Sequence, residues 1–308
     1  MQYFLHNIEW ISALRTDGLT LIFKAFTFMG YRSFILLFIP LGFWLFNKKI
    51  FARAGLLVMF SLLLNAFLKE IFQDPRPDMQ YWLDFKMDTP YGFPSGHAQV
   101  AIVLWMWIAW EIRKKWAWIV FSIIALGICM SRLYLGVHDV EDILGGMFFG
   151  TLTLVSFGML TTKRFKLRFD LNPLCQVLCL IFFVTGMFLI WPGKDLLVVS
   201  RYGGFLTGFW LGAGMEREII HYEKHLKIWK QIFAGFIGIA GCLFLKKVMY
   251  VVFTAIAPNH PFLVLIQALV IGLYITLIAP WVFMKMNLNF RSDDLKSKDS
   301  TAFVVYGK

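Results

Sequence analysis

Residues 131–162, SRLYLGVHDVEDILGGMFFGTLTLVSFGMLTT, decide the class of the fold. The second part of this stretch, 143–162, contains no charged residue and is long enough for a helix to cross a bilayer, since a crossing needs about 20 residues. The first part places Arg132, His138 and Asp142 directly before it. Ionisable side chains are costly at membrane depth, so a cluster of them at the end of a crossing predicts a functional site.

The composition extends this interpretation to the whole chain. Of the 308 residues, 59% are hydrophobic and 16% are charged, whereas soluble domains carry roughly a quarter charged residues. Apolar runs bounded by charged residues, Gly or Pro predict nine crossings, at about 33–47, 54–71, 97–112, 116–131, 139–162, 172–193, 197–215, 231–257 and 262–284. We therefore predict an all-α fold, a polytopic transmembrane helix bundle of about nine crossings with a six-helix-like core and extra C-terminal helices.

Basic residues cluster in alternate loops of this bundle. If every run crosses, one side receives all five clusters: Lys48, Lys49 and Arg53; Arg113, Lys114 and Lys115; Lys163, Arg164, Lys166 and Arg168; Arg217, Lys224, Lys227 and Lys230; and the tail after Lys285. The positive-inside rule predicts that this side is cytoplasmic. The formal charge of +11 is explained by the same pattern, so we predict a membrane protein with no nucleic-acid partner.

We expect one membrane domain to cover the chain. It is predicted to consist of a core over 1–162, additional transmembrane helices over 163–287 and a cytoplasmic tail over 288–308. Glycines at four-residue spacing, at 145, 146 and 150 and again at 204, 208 and 212, predict helices that approach closely in lipid.

The segment 1–31 has a different pattern. Trp10, Leu14, Leu19 and Phe23 predict one apolar face of a helix that lies at the membrane interface. A short tenth crossing is the alternative, and it would move only the N-terminus to the other side.

The loops opposite the basic clusters contain three ordered blocks of polar residues. These blocks are Lys69 with Arg76-Pro77; Pro94-Ser95-Gly96-His97; and Ser131-Arg132 with His138 and Asp142. They resemble, in order and spacing, the signature of the type 2 phosphatidic acid phosphatase superfamily: Lys, six residues, Arg-Pro; Pro-Ser-Gly-His; and Ser-Arg, five residues, His, three residues, Asp. The resemblance covers residues 69–142 and implies that the core over 1–162 is a membrane lipid phosphatase.

The residue types suit phosphoryl transfer, in which negative charge spreads over the oxygens of the moving group. Lys69, Arg76 and Arg132 are predicted to form a positive clamp for phosphate, because Arg can engage two oxygens and Lys acts as a point charge. Ser95 and Gly96 precede the helix predicted at 97–112, so their N–H groups are expected to add donors at a helix start.

Two histidines are predicted to do the chemistry. His138 is the candidate nucleophile, and it would form a phosphohistidine intermediate. Asp142 lies one helical turn on and is expected to hold one ring N–H of His138. His97 is expected to protonate the departing oxygen, so the two histidines need opposite protonation states.

We predict no metal or other cofactor, because the surrounding cations would repel a divalent ion. Five further polar residues on the same side match nothing in the signature and are expected to be solvated loop residues: Asp84, Asp88, Asp139, Glu141 and His260.

The leading hypothesis is hydrolysis of a lipid phosphate or lipid pyrophosphate, with a phospholipid or polyprenyl phosphate as substrate and the active site on the extracytoplasmic side. The compact loops favour a bacterial inner membrane with the site facing the periplasm or exterior, and a homodimer is compatible with the sequence.

Several alternatives stay open at this stage. One is a hydrolase resembling glucose-6-phosphatase, which acts on a soluble phosphomonoester, and another is a lipid phosphotransferase. A vanadate-dependent halide oxidation, as in resembling soluble enzymes, and a transporter or scaffold without catalysis are weaker alternatives.

Overall fold

The structure, a computed structural model, describes residues 6–87, 89–161, 173–224 and 227–291. Twelve α-helices are present there: α1 Glu9–Ser12, α2 Asp17–Phe28, α3 Arg32–Leu45, α4 Lys48–Phe72, α5 Gly96–Ile112, α6 Lys115–Tyr134, α7 Val140–Thr161, α8 Pro173–Ile190, α9 Leu196–Met215, α10 Ile228–Ile256, α11 Pro261–Leu273 and α12 Ala279–Lys285. A 3-10 helix, Met79–Tyr81, and two π-helices, Glu216–Ile220 and Tyr274–Ile278, complete the helical elements.

The predicted all-α transmembrane bundle is confirmed, and each of the nine predicted crossings corresponds to helical structure. Five helical segments of the described chain are long and apolar enough to cross a membrane, or six if α2 and α3 together count as one bent span. The count of nine therefore stays a prediction. A small antiparallel pair of strands, β1 Tyr222–Lys224 and β2 Asn289–Arg291, is the one addition to the helices in the described residues.

The chain folds as two compact units. The first contains the residues up to Leu36 together with Leu57–Val198, and the second contains Leu37–Leu56 together with the residues from Val199 onward. All of the predicted site residues belong to the first unit.

Helix α5 is the central helix of the first unit, because most of its side chains between Ala98 and Ala109 are buried. Against it packs α7, whose glycines allow close approach. A Cβ on Gly146 would lie 2.5 Å from the Ser95 carbonyl oxygen, and a Cβ on Gly150 would lie 2.8 Å from that of Gln99. The predicted close approach of helices is confirmed at Gly146 and Gly150, whereas Gly145 packs on the side chain of Phe93 in the preceding loop.

The turn between α6 and α7 carries His138, and its geometry requires glycine. Gly136 has a φ of +73°, in the left-handed region, and a Cβ there would collide with the carbonyl of Tyr81. Val137, the next residue, is fully buried in an apolar cluster with Leu133, Leu135 and Ile143. The residue before His138 is therefore fixed by core packing.

The prediction that Trp10, Leu14, Leu19 and Phe23 lie on one helix is wrong, while the position of the segment 1–31 relative to the membrane stays a prediction. Helices α1 and α2 are separate, because Thr16 caps the start of α2 by accepting from the Leu19 N–H. Phe23 packs on Tyr134 with ring centroids 4.4 Å apart, and Arg15 donates to the carbonyl of Tyr134. Tertiary contacts with α6 thus hold this segment.

In the second unit, α9 and α11 approach closely at the other predicted glycines. A Cβ on Gly204 or on Gly208 would collide with the carbonyl of Leu265 or Leu269. Lys48 donates to the carboxylate of Glu216 at 2.9 Å and to the Tyr222 carbonyl at 2.6 Å. Residues 289–291, predicted as tail, pair with β1 instead, and 292–308 lie outside the described residues.

A glycine pair on α7 tests this packing. We expect Gly146→Ala to lower the free energy of unfolding by about 1–3 kcal/mol, because the added Cβ meets a backbone oxygen that cannot rotate away. Gly158→Ala is the matched control, since nothing lies within 4 Å of its Cβ position. Thermal unfolding in detergent measures both variants. Equal midpoints for the two would contradict the close approach of α5 and α7.

Candidate active site

The predicted site residues come together at one end of the first unit. Lys69 lies in the last turn of α4, Ser95 is the residue directly before the first residue of α5, and Arg132 lies in the last turn of α6. His138 lies two residues before the first residue of α7, and Asp142 lies in the first turn of that helix. In an up-and-down bundle, the end of one helix and the start of the next lie on the same side. The site residues follow this pattern, since they lie alternately at helix ends and helix starts.

The hydrogen bonds of His138 determine its tautomer. Its Nδ1 lies 2.7 Å from Asp142 Oδ2, and its Nε2 lies 3.1 Å from a guanidinium nitrogen of Arg76. Because Arg can only donate, Nε2 accepts and carries a lone pair, while Nδ1 carries the proton that Asp142 accepts. Burial, with the nearby charges of Arg76 and Lys69, holds the pKa of His138 well below its ordinary value, which favours the neutral ring that these hydrogen bonds require.

Asp142 also joins the starts of α7 and α5. Its carbonyl accepts the Ser95 N–H at 2.9 Å. Its own N–H donates to Asp139 Oδ1 at 2.9 Å, and its carboxylate accepts the Asp139 N–H at 3.3 Å, which closes a capping box at the start of α7. The expectation that Asp139 is a solvated loop residue is wrong, because it is 4% exposed and fixes Asp142.

Two of the cations are held by backbone carbonyls. The Lys69 ammonium donates to the carbonyls of Tyr91 at 2.7 Å and Gly92 at 2.6 Å. Arg76 donates to the Val137 carbonyl at 2.9 Å, next to its contact with His138. Carbonyl dipoles therefore stabilise positive charges that are close to one another.

The third cation has a carboxylate partner. Arg132 is 1% exposed and donates to Asp84 Oδ2 at 2.7 Å and to Thr27 Oγ1 at 2.6 Å. Tyr31 donates its hydroxyl to the same Asp84 oxygen at 2.9 Å. Burial alone would raise the pKa of Asp84, but the hydrogen bond from Arg132 holds it below its ordinary value.

Asp84 was expected to be solvated, and that expectation is wrong, since it is 7% exposed and orients Arg132. Sequence reasoning also missed Thr27 and Tyr31, which lie in the N-terminal segment far from every block of the signature. Thr27 and Tyr31 have no fixed distance in sequence from the signature residues, so their position in the sequence does not indicate that they lie in the site. The loop before α5 contains four aspartates, Asp74, Asp78, Asp84 and Asp88, and nothing in the sequence distinguishes Asp84 from the other three.

Four polar atoms of the site are buried without a hydrogen-bond partner in the described part of the protein: Ser95 Oγ, His97 Nε2, Arg132 Nε and Asp142 Oδ1. Buried polar atoms are nearly always bonded, so such a concentration needs an explanation. Three of the four can donate, and beside the cations they suit an anion. The Ser95 N–H already serves Asp142, so Ser95 can contribute its hydroxyl rather than the predicted backbone donor.

A buried amide network positions the turn that contains Ser95 and Gly96. Asn65 on α4 donates to the Pro94 carbonyl at 3.0 Å and to Gln99 Oε1 at 2.9 Å. A Cβ on Gly96 would lie 2.9 Å from the Asn65 side-chain oxygen, so a glycine is needed at this close approach. The turn of the second block is thereby tied to the helix that carries Lys69.

The other polar residues of this side are less central. Glu141 has a half-exposed side chain paired with His6, and His260 is exposed, as expected. Asp88 lies outside the described residues. Among the described residues, no three His, Cys, Asp or Glu side chains form a group that could hold a metal ion.

Comparisons with known proteins bear on the family of the chain. The PAP2 superfamily matches residues 51–166, and the transmembrane extension of PAP2 superfamily phosphatases matches residues 200–291. Phosphatidylglycerophosphatase B of Bacillus subtilis is 32% identical over 152 residues, which are 45% of this chain and 73% of that protein. The chain belongs to the PAP2 superfamily.

Other PAP2 relatives differ in the lipid that their names specify. Sphingosine-1-phosphate phosphatase 2 of Mus musculus is 24% identical over 212 residues, 62% of this chain and 58% of that protein. Lipid A 4'-phosphatase of Porphyromonas gingivalis is 29% identical over 136 residues, 39% of this chain and 57% of that protein. A crystal structure of a PAP2-type phosphatidylglycerolphosphate phosphatase from Bacillus subtilis has a TM-score of 0.46 and 28% identity, covering 53% of this chain and 85% of that one.

These matches confirm the predicted family, and with it a multi-pass membrane protein of a phosphatase superfamily. The prediction of a phosphoric ester hydrolase agrees with relatives that are all lipid phosphatases. The individual roles of the site residues, and the division of the chain at residue 162, stay predictions.

The Asp84 contact generates a test. We expect Asp84→Asn to lower the free energy of unfolding by about 3 kcal/mol, because the Arg132 charge stays buried without its carboxylate. We also expect a loss of phosphatase kcat/KM on the order of 10- to 100-fold, because a misplaced clamp residue affects the reacting geometry. Thermal unfolding and initial rates in detergent measure both effects.

Glu141→Gln is the control, since an exposed ion pair contributes about 0–1 kcal/mol. An Asp84→Asn protein with the stability and kcat/KM of the control would show that Asp84 does not orient Arg132.

Proposed function

We propose that the protein hydrolyses a lipid phosphate or lipid pyrophosphate through a phosphohistidine intermediate on His138. One observation carries the proposal: His138 Nε2 presents its lone pair to the Arg76 guanidinium, within range of the charges of Lys69 and Arg132. The same site holds buried donors that have no partner among the described residues. A nucleophile next to an anion site is the arrangement that phosphoryl transfer requires.

In the first step, His138 Nε2 attacks phosphorus and the bond to the ester oxygen breaks. The Arg76 guanidinium, which engages the Nε2 lone pair before substrate binds, turns to the phosphate oxygens. Asp142 keeps the proton on Nδ1 and stabilises the positive charge that develops on the ring. Lys69, Arg132 and the Ser95 hydroxyl stabilise the negative charge of the moving group.

His97 gives its proton to the departing ester oxygen. A cluster of cations disfavours a protonated histidine, but a bound phosphate dianion offsets those charges and favours it. His97 therefore becomes protonated, while His138 stays neutral, only when a phosphate group is bound. In the second step His97 accepts a proton from water, the water oxygen bonds to phosphorus, the bond to Nε2 breaks and inorganic phosphate leaves.

A lipid substrate is supported by the relatives, whose names specify phosphatidylglycerophosphate, sphingosine 1-phosphate and lipid A. These lipids differ in the group that carries the phosphate, but each has a phosphate at the membrane surface and hydrocarbon chains in the bilayer. The shared chemistry favours a site that recognises phosphate tightly and admits an apolar group from the bilayer. No observation favours a soluble sugar phosphate or a transfer to another acceptor.

The active site is proposed to face the extracytoplasmic side. The described basic residues at the other ends of the same helices, among them Arg53, Lys114 and Lys115, support this orientation through the positive-inside rule. A bacterial inner membrane and a homodimer belong to the same proposal.

Thiol labelling tests the orientation. In a variant with its four cysteines replaced, we expect Lys194→Cys to react in intact cells with a membrane-impermeant maleimide, because its loop lies on the side of the active site. Lys114→Cys, which is also exposed but lies between α5 and α6, should react only after permeabilisation. The reverse pattern would place the site in the cytoplasm.

Activity tests the mechanism. We expect purified protein to release phosphate from lipid phosphates or diphosphates in the presence of EDTA, and His138→Ala to reduce kcat by at least about 1,000-fold, because the covalent route is lost. His260→Ala is the control, since this exposed histidine lies far from the signature in sequence. A panel of phosphatidic acid, phosphatidylglycerophosphate, a polyprenyl diphosphate and glucose 6-phosphate ranks the substrates.

Equal release by wild type and His138→Ala would reject the histidine mechanism. Release that depends on an added alcohol or lipid acceptor would instead indicate a phosphotransferase, and a preference for glucose 6-phosphate would reject a lipid substrate.

A further inference from the structure

We propose that Lys86, which lies over Tyr31 beside His97, binds a second phosphate group on the leaving-group side of the scissile bond. The inference rests on the proposed function, because it takes His97 as the acid that protonates the departing oxygen. It assigns the protein a preference for lipid diphosphates, and for headgroups with a further phosphate beyond the one removed, over simple lipid monophosphates.

His97, Tyr31 and Lys86 form a continuous row of side chains. The Tyr31 ring meets the His97 ring edge-on, with centroids 5.4 Å apart and an interplanar angle of 83°. The Lys86 ammonium lies 5.2 Å from the centroid of the Tyr31 ring. His97 Nε2 is buried without a partner among the described residues. The proposal takes this row as the path along which a group attached to the oxygen that His97 protonates departs, with Tyr31 beside His97 and Lys86 beyond it.

Asp84 fixes this row relative to the phosphate clamp. Its Oδ1 accepts the Lys86 backbone N–H at 3.0 Å, and its Oδ2 accepts the Tyr31 hydroxyl at 2.9 Å and the Arg132 guanidinium at 2.7 Å. One buried carboxylate thus holds an arginine of the clamp on one oxygen and the backbone of Lys86 on the other. The Asp84 carboxylate therefore sets the distance between the Arg132 guanidinium and the backbone of Lys86.

The Lys86 charge is available to a ligand. Its side chain is exposed, and in the described part of the chain its ammonium contacts an aromatic ring rather than a carboxylate. Asp84, two residues before Lys86, uses its carboxylate for Arg132. An ammonium on an aromatic face is still able to donate hydrogen bonds to phosphate oxygens.

The position of the loop suits a headgroup. Phe85, the neighbour of Lys86, is 70% exposed, and its ring lies 6.2 Å from that of Trp82. Exposed aromatic side chains of membrane proteins concentrate at the level of the lipid headgroups. Lys86 is therefore expected at the depth at which the phosphates of a membrane lipid lie.

Charge decides which substrates gain from Lys86. When a lipid monophosphate is cleaved, the leaving group is an alcohol, for which an ammonium offers little. When a diphosphate is cleaved at its terminal phosphorus, water supplies the oxygen of inorganic phosphate, and His97 protonates the bridging oxygen of the departing lipid monophosphate. That leaving group is anionic, and the three clamp cations are engaged with the transferred phosphoryl group. Lys86 supplies the missing positive charge.

Farnesyl diphosphate and farnesyl phosphate test the proposal, because they share a tail and differ in the leaving group. Initial rates of phosphate release in detergent give kcat/KM for each, and the ratio of diphosphate to monophosphate is compared between proteins. We expect Lys86→Gln to lower this ratio on the order of tenfold, because a charge-assisted hydrogen bond is lost, and Lys86→Arg to preserve it. Lys194→Gln removes an exposed lysine from another loop on the same side and controls for the general loss of positive charge.

An unchanged ratio in Lys86→Gln, or an equal fall in Lys194→Gln, would overturn the second phosphate subsite. In either case hydrolysis that His138→Ala abolishes would leave the proposed function standing. Failure of wild-type protein to release phosphate from either compound or from any other lipid phosphate would overturn both proposals.

Discussion

Positive charges at one end of a helix bundle repel one another, and lipid on the outside of the bundle offers them no solvation. Lys69, Arg76 and Arg132 are in this situation, and each is stabilised in its own way. Lys69 donates to two carbonyls of the loop before α5, Arg76 donates to the carbonyl that precedes His138, and Arg132 pairs with Asp84. The need to stabilise these three charges constrains the loops over the site, because their carbonyl groups must point toward the cations.

The same requirement explains why the helices approach so closely. The Ser95 N–H reaches the Asp142 carbonyl only because Gly146 allows α7 to touch the start of α5. Asn65 reaches the Pro94 carbonyl from α4 in the same region. The packing between the helices therefore determines the geometry of the site at their ends. Small residues within the helices set the distances between the polar residues at the helix ends.

The sequence alone predicted the helices well, because uncharged runs of membrane length have few alternatives to helix. It predicted the convergence of Lys69, His97, Arg132, His138 and Asp142, because alternate helix ends must share a side. It could not predict the role of Asp84, since an acidic residue in a loop has the same pattern whether solvated or paired with a buried arginine. The N-terminal segment was misjudged for a related reason: Thr27 and Tyr31 are in the site through tertiary contacts that no periodicity reveals. The role of Asp139 was not predicted, because Asp139 caps α7 only if that helix starts at Val140, and the sequence does not define the start of the helix to one residue.

The contact between Arg76 and His138 also protects the carboxylic esters of the surrounding lipids from attack by the histidine. The guanidinium donates to the lone pair that the proposed reaction uses, so the nucleophile is engaged until an anion draws the guanidinium away. A phosphate group brings that anion with it. The carboxylic esters of membrane lipids carry no such charge and would meet a histidine whose lone pair is already occupied. An imidazole can therefore lie beside a large excess of acyl chains without becoming an esterase, and chemical selectivity comes from the resting state of the site as well as from its fit to the substrate.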